Sequence, residues 1–289
     1  MTTAPFEPKG RSFRAVRPVI GIIQARMGST RLPGKVLKPI AGRPMLAWVV
    51  ARARRIAGLD EVVVATTYDT ADDVIAAWCA REDVPCYRGH PLDVLDRYYQ
   101  AARAYQAGTI MRLTADCPLL DPHLAAEVLS RFQRRGVDFA ANRLPEPWGR
   151  TFPIGLDVEV MTFAALARAW HEATAPYQRE HVTPYLYDDA PVEVLAFRTH
   201  APRWRETITP RGFRIALYHA AQNWGHYRWT VDTPEDLTLV RTIVEHLGPE
   251  NLGWKQILAF LQTHPEVARL NALVRHRTHY DIDERLKRK

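Results

Sequence analysis

The sequence has few cysteines and no apolar run of membrane length. Its three cysteines, Cys79, Cys86 and Cys117, form an odd set without CxxC or Cys/His ligand spacing, which argues against a disulfide framework and a zinc site. No apolar stretch approaches the length of a membrane span, and residues 1–18 lack the apolar core of a signal peptide. We therefore expect a cytoplasmic protein with reduced thiols and no contact with membranes.

Two familiar phosphate-binding motifs are also absent. The apolar run 19–23 is followed by the loop QARMGSTRLPGK at residues 24–35. GxxxxGK[ST] would need Ser or Thr after Lys35, where Val36 stands, and GxGxxG would need a glycine where Thr30 stands. Neither a kinase with that P-loop nor a dinucleotide-binding dehydrogenase fits this loop.

Acidic residues are scarce near the amino terminus. Residues 1–55 contain twelve Lys or Arg residues against one acid, Glu7, and the whole chain has a formal net charge of +7. Such a field favours an anionic partner. Basic nucleic-acid-binding proteins usually add a recognition helix, an aromatic stacking platform or a metal finger. None is visible in the sequence, so a small polyanion such as a nucleotide is the simpler explanation.

The pattern that is present alternates apolar strands with amphipathic helices. Buried strands are predicted at 19–23, 62–66 and 109–114, and the helices between them carry an apolar stripe. A length of 289 residues suits one large α/β domain with appendages. We expect these parts in chain order: a flexible basic extension over 1–18, a main domain over 19–250 with an insertion at about 142–228, and a C-terminal helical appendage over 251–289.

The loop 24–35 follows a strand that is predicted to be buried on both faces, and such strands present their carboxyl ends to ligands. Its cations Arg26, Arg31 and Lys35 stand among glycines and hydroxyls, so that backbone N–H groups and side chains can both approach phosphate oxygens. The sequence therefore predicts a triphosphate site. The alternative is a Gly/Pro turn with solvated arginines.

Acidic residues follow one further predicted strand and lie on another. Asp116 comes after the strand 109–114, where its carboxylate can face a metal-bound phosphate. A helix cap is the alternative for such an aspartate, but Asp121 before Pro122 suits that role better. Asp157 and Glu159 lie on one face of a predicted strand at 155–161. They would serve the metal or a sugar hydroxyl, unless that face is the solvated side of an edge strand.

Separated motifs resemble the cytidylyltransferases that activate acidic sugars, the family of 3-deoxy-manno-octulosonate and acylneuraminate cytidylyltransferases, and in particular its spore-coat-polysaccharide branch. They are ARMGSTRLPGK at 25–35, ADCPLL at 115–120, REHVTPY at 179–185 and VDTPEDL at 231–237. Ala115 replaces the glycine that is usual in the second motif. The resemblance spans about residues 19–248. It implies a three-layer, Rossmann-like α/β fold of the nucleotide-diphospho-sugar transferase type, with a mixed, mostly parallel sheet. The mixed aromatic pattern around 190–228, with Trp204, Phe213 and Trp224, predicts a small inserted β-arm or a subunit contact.

The resemblance also implies an activity. An acidic acceptor would attack the α-phosphate of CTP in line and release pyrophosphate with the help of Mg²⁺. The implied catalytic residues are Arg26, Lys35, Asp116 and Asp232, with Asp116 and Asp232 as the magnesium ligands. The implied nucleotide-binding residues are Gln24, Ala25, Arg26, Gly28, Ser29, Thr30, Arg31, Lys35, Arg88 and Arg97. The residues expected to meet the acceptor are Asp157, Glu159, Arg179 and His181. A homodimer is likewise implied by the family.

Alternatives remain open for several of these residues. Asp232 ends a predicted strand and also fits a turn in front of a helix that begins at Pro234. Arg97 fits an exposed ion pair with Asp96, and His181 fits a structural pair with an acid. Two other functions compete. A nucleotide-sugar-dependent glycosyltransferase typically carries Asp-x-Asp at a strand end, but the only such triplet is at 281–283. A non-catalytic adaptor that binds nucleic acid would also be basic.

Overall fold

The structure is a computed structural model that describes residues 17–275. Nearly all of the expected basic extension, the Asp-x-Asp triplet at 281–283 and the basic end at 287–289 lie outside the described residues. Within 17–275, no helix combines the length and the apolar character that crossing a membrane requires.

Eight strands form one twisted sheet, and two short ones form a separate hairpin. The strands are β1 Val19–Gln24, β2 Pro39–Ile40, β3 Arg43–Pro44, β4 Glu61–Thr67, β5 Cys86–Gly89, β6 Thr109–Thr114, β7 Phe139–Ala141, β8 Glu159–Thr162, β9 Trp204–Ile208 and β10 Arg214–Tyr218. The main sheet has the order β5-β4-β1-β6-β8-β7-β10-β9, and β2 pairs with β3. In the main sheet, β8 pairs antiparallel with β6 and β7, and β9 pairs antiparallel with β10. The other neighbouring strands of this sheet pair in parallel. The mixed, mostly parallel sheet that the sequence predicts is confirmed.

Helices cover both faces of the main sheet. They are α1 Met45–Ala53, α2 Asp73–Arg81, α3 Val94–Ala104, α4 Pro122–Arg135, α5 Phe163–Glu172, α6 Pro176–His181, α7 Pro184–Tyr187, α8 Val192–Leu195, α9 Pro234–Leu247, α10 Trp254–Thr263 and α11 Pro265–Ala268. One apolar core holds Ile23 of β1 with the buried faces of α1, α2, α4, α9 and α10. The other holds Ile20 and Ile22 with the buried faces of α3 and α5. Because alternate β1 side chains enter opposite cores, the three-layer arrangement follows from the uninterrupted apolar character of that strand.

Two helix starts lie where the sequence predicts them. Asp121 caps α4 by accepting a hydrogen bond from Leu124 N at 2.8 Å, with proline in the first turn. Thr233 and Asp236 form a reciprocal capping box at the start of α9. Each cap satisfies backbone N–H groups that have no partner within their helix.

The insertion differs from the expected arm. Strands β9 and β10 extend the main sheet, because β10 pairs in parallel with β7 and β9 pairs with β10. Its aromatic residues explain the placement: Trp204 stacks on Tyr218 at 4.4 Å between ring centroids, and Arg131 of α4 lies over Trp204 at 5.5 Å. These residues pack on the domain, so the segment predicted as a separate β-arm is the edge of its sheet.

Two predicted strands are also corrected. The strand expected at 155–161 begins only at Glu159, which leaves Asp157 in the preceding irregular segment. The residues before Asp232 make only an isolated bridge, between Arg228 and Ile154. A close approach explains this geometry: Gly155 has φ +105°, and a Cβ there would lie 2.6 Å from Thr230 N. Glycine alone accommodates this backbone conformation and contact, so the two segments meet without forming a regular ladder.

The chain reverses its direction across the sheet beside β1. From β1 it proceeds outward through β4 to β5, and it then returns to β6 on the other side of β1. In open α/β sheets, a crevice forms at the carboxyl ends of strands where the order reverses in this way. The loop after β1 and Asp116 after β6 both lie at that edge.

Candidate active site

A cavity of about 590 Å³ opens at this edge of the sheet. Its wall combines the loop after β1 with residues at the ends of β6, β7 and β8 and residues of α3, α6 and α7. Among the residues that the structure describes, seven Lys or Arg and five Asp or Glu line it. A cavity of this size suits a small-molecule ligand, and the excess of cations favours an anionic one.

The loop after β1 is held from below by a buried aspartate. Asp72 accepts a hydrogen bond from Met27 N at 2.6 Å through one carboxylate oxygen and from Thr67 Oγ1 through the other. Gly34 has φ +67°, a conformation that favours glycine, and it leads directly into the single turn that carries Lys35. Eight predicted loop residues line the cavity: Gln24, Ala25, Arg26, Gly28, Ser29, Thr30, Arg31 and Lys35.

Lys35 lies at the centre of an ionic cluster. Its Nζ atom donates to Asp116 Oδ2 at 2.8 Å, to Asp232 Oδ1 at 2.7 Å and to Val231 O at 2.9 Å. An ammonium group has three hydrogens, so these acceptors satisfy it completely. Burial alone would lower the pKa of Lys35, but the two carboxylates raise it above its ordinary value. Lys35 is therefore charged in this arrangement.

The two carboxylates reach Lys35 from segments that contact each other. Val231 N donates to Asp116 O at 2.8 Å and Thr230 Oγ1 donates to the same oxygen at 3.1 Å. Burial tends to raise the pKa of Asp232, but Lys35, Arg31 and Arg228 together hold it well below its usual range. Asp116 and Asp232, 116 positions apart in the sequence, thus converge on one point of the cavity.

The chemistry of this pair fits a hard divalent cation. Within residues 17–275, no three His, Cys, Asp or Glu side chains form a cluster that could hold a metal ion by themselves. Asp116 and Asp232 are only 28% and 21% exposed, and both line the cavity. Mg²⁺ is usually bound by one or two carboxylates together with substrate phosphates and water. Two convergent carboxylates beside a cationic loop match that donor set.

A part of the cavity wall presents a buried guanidinium and an amide. Arg97 is 2% exposed, its Nη1 donates to His90 O at 2.7 Å, and its Nε has no hydrogen-bond partner in the described chain. Burial lowers the pKa of Arg97 to about 10, and the charge of nearby Arg26 adds to the effect. The Oε1 atom of Gln24 is buried and likewise lacks a partner in the structure as described. Both residues line the cavity and offer polar atoms to a ligand.

A buried ion pair forms another part of the wall. Arg112 Nη1 donates to Glu159 Oε2 at 2.9 Å, and Thr183 Oγ1 donates to the same oxygen at 3.0 Å. Burial alone would lower the pKa of Arg112, but Glu159 raises it. His181 also lines this part of the wall. The predicted acceptor residues Glu159 and His181 are therefore in the cavity.

Two more arginines flank that ion pair and share one acid. Arg150 donates to both carboxylate oxygens of Asp157, at 2.8 and 3.1 Å, and Arg143 Nε donates to Asp157 Oδ2 at 3.3 Å. Burial tends to lower the pKa of Arg143, but Asp157 and Glu159 raise it. Both arginines line the cavity and Asp157 does not. Asp157 thus acts as a counter-ion that orients two cations towards the ligand space.

Two other predicted site residues lie away from the cavity wall. Arg88 donates to Thr67 O at 2.9 Å and to Asp73 Oδ1 at 2.6 Å. Arg179 donates through Nη2 to Asp93 Oδ2 at 2.6 Å and through Nη1 to Trp170 O at 2.7 Å. In this structure both arginines tie neighbouring elements together.

Sequence reasoning did not identify several side chains of the site. Arg112 left a signal, because a charged residue inside an otherwise apolar strand needs a buried partner. Arg143 and Arg150 lie in an irregular Pro/Gly-rich stretch that has no periodicity to interpret. Asp72 resembles a helix cap, and Arg228 owes its position to a contact four residues along the chain with Asp232. Only the folded structure shows where the side chains of Asp72, Arg143, Arg150 and Arg228 point.

Comparisons with known proteins give a consistent result. A family model described as cytidylyltransferase matches residues 20–263. The spore coat polysaccharide biosynthesis protein SpsF of Bacillus subtilis is 30% identical over 258 residues, which cover 86% of this chain and 96% of that protein. The 3-deoxy-manno-octulosonate cytidylyltransferase of Anaeromyxobacter sp. (strain Fw109-5) is 32% identical over 249 residues, covering 79% and 98%. The solved structure of a cytidylyltransferase from Leptospira borgpetersenii matches with a TM-score of 0.77 and 28% identity, covering 90% of this chain and 100% of that one.

Proposed function

We propose that this chain, which belongs to the cytidylyltransferase family and is therefore a nucleotidyltransferase, uses CTP and Mg²⁺ to attach CMP to an acidic small molecule. The observation that carries the proposal is the convergence of Asp116 and Asp232 on Lys35 inside a cation-rich cavity. Nucleotidyl transfer needs an acceptor oxygen in line with the α-phosphorus and neutralisation of the departing pyrophosphate. This cluster is suited to both needs.

The loop after β1 takes the triphosphate in this proposal. Arg26 and Arg31 contact the β- and γ-phosphates, while the backbone around Gly28 and the hydroxyls of Ser29 and Thr30 donate further hydrogen bonds. On nucleotide binding, Lys35 exchanges one carboxylate for a phosphate oxygen. A cation held by Asp116 and Asp232 would neutralise phosphate charge and make the α-phosphorus more electrophilic.

Two groups of residues in the cavity wall divide the remaining recognition. Gln24 and Arg97 offer an acceptor and a donor to the edge of the cytosine ring. Arg112, Arg143 and Arg150 face an anionic group of the acceptor, and Glu159 and His181 contact its hydroxyls. No protein nucleophile is required, because the acceptor hydroxyl itself attacks and pyrophosphate leaves.

The relatives suggest the class of acceptor. One is named for 3-deoxy-manno-octulosonate, an acidic sugar, and another for spore coat polysaccharide biosynthesis. We therefore propose an octulosonic, nonulosonic or other acidic acceptor, including a phosphonate. A homodimer and a cytoplasmic location stay predictions, which sedimentation and cell fractionation check. The absence of nucleic-acid binding also stays a prediction.

A pyrophosphate-release assay tests this function. The purified protein is incubated with MgCl₂, each of the four ribonucleoside triphosphates, and a panel of acidic sugars and phosphonates. We expect pyrophosphate with CTP plus an acceptor, and a loss of about 10²- to 10³-fold in Asp232→Asn, the scale of a lost transition-state charge contact. The control Asp83→Asn changes an exposed turn residue with φ +51° and keeps full activity.

Other outcomes of the same assay contradict the proposal. Transfer of a sugar from a nucleotide-sugar, without release of pyrophosphate from any triphosphate, indicates a glycosyltransferase. Salt-sensitive binding of RNA or DNA with no nucleotide turnover indicates the adaptor. Full activity of Asp232→Asn removes the assigned role of that carboxylate.

A further inference from the structure

A short turn near the C-terminal end of the described chain is connected to the candidate cation site by hydrogen bonds. After α11, residues Arg269–Asn271 form a 3-10 turn that packs against α9. The family model ends its match at residue 263, so this turn lies beyond the matched region. Asn271 is the residue of this turn that reaches inward, and it is 5% exposed.

The side-chain amide of Asn271 joins two groups that are themselves buried. Its Nδ2 atom donates to Arg228 O at 2.9 Å and to Asp236 Oδ1 at 2.8 Å. Asp236 is fully buried, and Arg228 is 6% exposed. Both hydrogens of one amide are therefore used to hold a buried carboxylate and the backbone of a buried arginine.

From Asn271 the contacts continue directly to the site. Asp236 accepts from Arg228 Nε at 2.9 Å and Nη2 at 3.0 Å, and its Oδ2 also accepts from Asp232 N at 2.9 Å. Arg228 Nη2 in turn donates to Asp232 Oδ2 at 2.6 Å. Lys35 contacts the other oxygen of Asp232. The rotation of the Asp232 carboxylate is thus fixed by Lys35, Arg31 and Arg228 together. Of these three, Arg228 depends for its own position on Asp236 and Asn271.

We propose that Asn271 is a positioning residue for the carboxylate of Asp232, so that the C-terminal turn beyond the family-matched region completes the cation site. The proposal rests on the proposed function, because it assigns to Asp232 a divalent cation. Residues that hold a metal-binding carboxylate through hydrogen bonds commonly change metal affinity by 10- to 100-fold when they are replaced. The same magnitude is expected here, although Asn271 touches neither nucleotide nor cation.

Two substitutions distinguish hydrogen bonding from packing. Asn271→Asp conserves the volume but replaces the donor with a carboxylate that faces Asp236 Oδ1 and Arg228 O, so it repels both. Asn271→Ala removes volume and leaves the two acceptors short of one donor, without a repulsive group. If the amide acts as a donor, the Asp variant is impaired at least as strongly as the Ala variant. A packing role alone predicts the opposite order.

The test measures Mn²⁺ binding to the full chain in the presence of CTP, by the electron paramagnetic resonance signal of free Mn²⁺. We expect the dissociation constant to rise about 10- to 100-fold in Asn271→Asp, with a smaller or equal rise in Asn271→Ala. The matched control is Asn251→Asp, an exposed residue whose amide only caps Leu247 O, and it keeps the affinity of the unaltered protein. Measurement below the unfolding transition of each variant ensures that folded protein is compared.

The outcomes separate this proposal from the proposed function. Unaltered Mn²⁺ affinity in folded Asn271→Asp overturns the role of Asn271 and leaves the proposed function standing. If Asn271→Asp does not fold, Asn271→Leu decides, because it keeps a similar volume but has no donor: weaker Mn²⁺ binding supports the positioning role, and unchanged binding overturns it. Failure of the unaltered protein to bind Mn²⁺ with CTP overturns both proposals.

Discussion

Lys35 is the residue on which the candidate site is centred. Its contacts could serve the stability of the fold or the binding of a ligand. A buried ammonium is costly unless it is paired, and removal of one partner of a buried pair typically costs about 3–5 kcal/mol. Lys35 has three acceptors and a side chain that is only 11% exposed. A purely structural pair would close the space around itself, whereas this cluster faces the cavity through both carboxylates. That position favours a charge that changes partners when a ligand binds.

Replacement of Lys35 should therefore impair turnover. For Lys35→Ala we expect kcat/KM for CTP to fall by about 10²- to 10³-fold, because charge on the leaving pyrophosphate loses a fixed cation. Steady-state pyrophosphate release measures the effect. Lys38→Ala is the matched control, since it removes a nearby lysine, three positions along the chain, that does not line the cavity. Near-normal turnover of Lys35→Ala would contradict the assigned role.

The elements that form the site are held in place by hydrogen bonds in the loop after β1 and at the starts of helices. Asp72 holds the loop after β1, Asp121 caps α4, and Thr233 with Asp236 caps α9.

His219 follows β10, and its Nε2 atom lies 2.8 Å from Leu195 O at the end of α8. Because a carbonyl oxygen only accepts, Nε2 carries the hydrogen of this bond.

This histidine predicts a pH dependence of stability. Burial lowers the pKa of His219 in the folded state, and Arg205 adds to the effect, while the unfolded chain keeps the ordinary value near 6.5. The unfolded state therefore binds a proton more readily below that value. The stabilising contribution is complete above about pH 6.5 and is lost as the pH falls through the lower folded-state pKa.

Thermal unfolding at pH 7.5 and pH 5.5 checks this prediction. We expect Tm of the unaltered protein to fall more between the two conditions than Tm of His219→Gln, whose amide can donate to Leu195 O but does not titrate. His123→Gln, a substitution at an exposed position of α4, should behave as the unaltered protein does. The same pH dependence in all three proteins would show that His219 is not the group responsible.

At the scale of the whole molecule, local sequence patterns predicted the fold class, but they did not predict which strands form the edge of the sheet. The family resemblance and the three-layer α/β fold are confirmed, because apolar runs such as Val19–Gln24 and caps such as Asp121 encode their structure locally. The pairing of β10 with β7 was not predictable, since β-pairing between distant segments depends on packing that periodicity does not record. The segment before Asp232 was predicted as a strand but makes only an isolated bridge. Periodicity likewise does not show whether a segment finds a partner strand.

The site divides along the same line. Eight residues of the loop after β1 line the cavity together with Asp116 and Asp232. The loop and Asp116 follow strands β1 and β6, whereas Asp232 follows a segment that makes only an isolated bridge. Arg143, Arg150 and Arg228 depend on turns and on contacts through space, which no spacing in the sequence reveals. The same holds for Asn271, whose partners Arg228 and Asp236 lie 43 and 35 positions away.

The measurement that tests the central claim most directly is calorimetric titration of the protein with CTP in the presence of MgCl₂. We predict binding of CTP in preference to the other triphosphates. In Arg31→Ala the affinity should be about 10- to 100-fold weaker, since one charged hydrogen bond is typically worth about 1.5–3 kcal/mol. Arg81→Ala, which removes an exposed arginine paired with its neighbour Glu82, should bind as the unaltered protein does. Absence of CTP binding, or equal affinity in Arg31→Ala, would contradict the account.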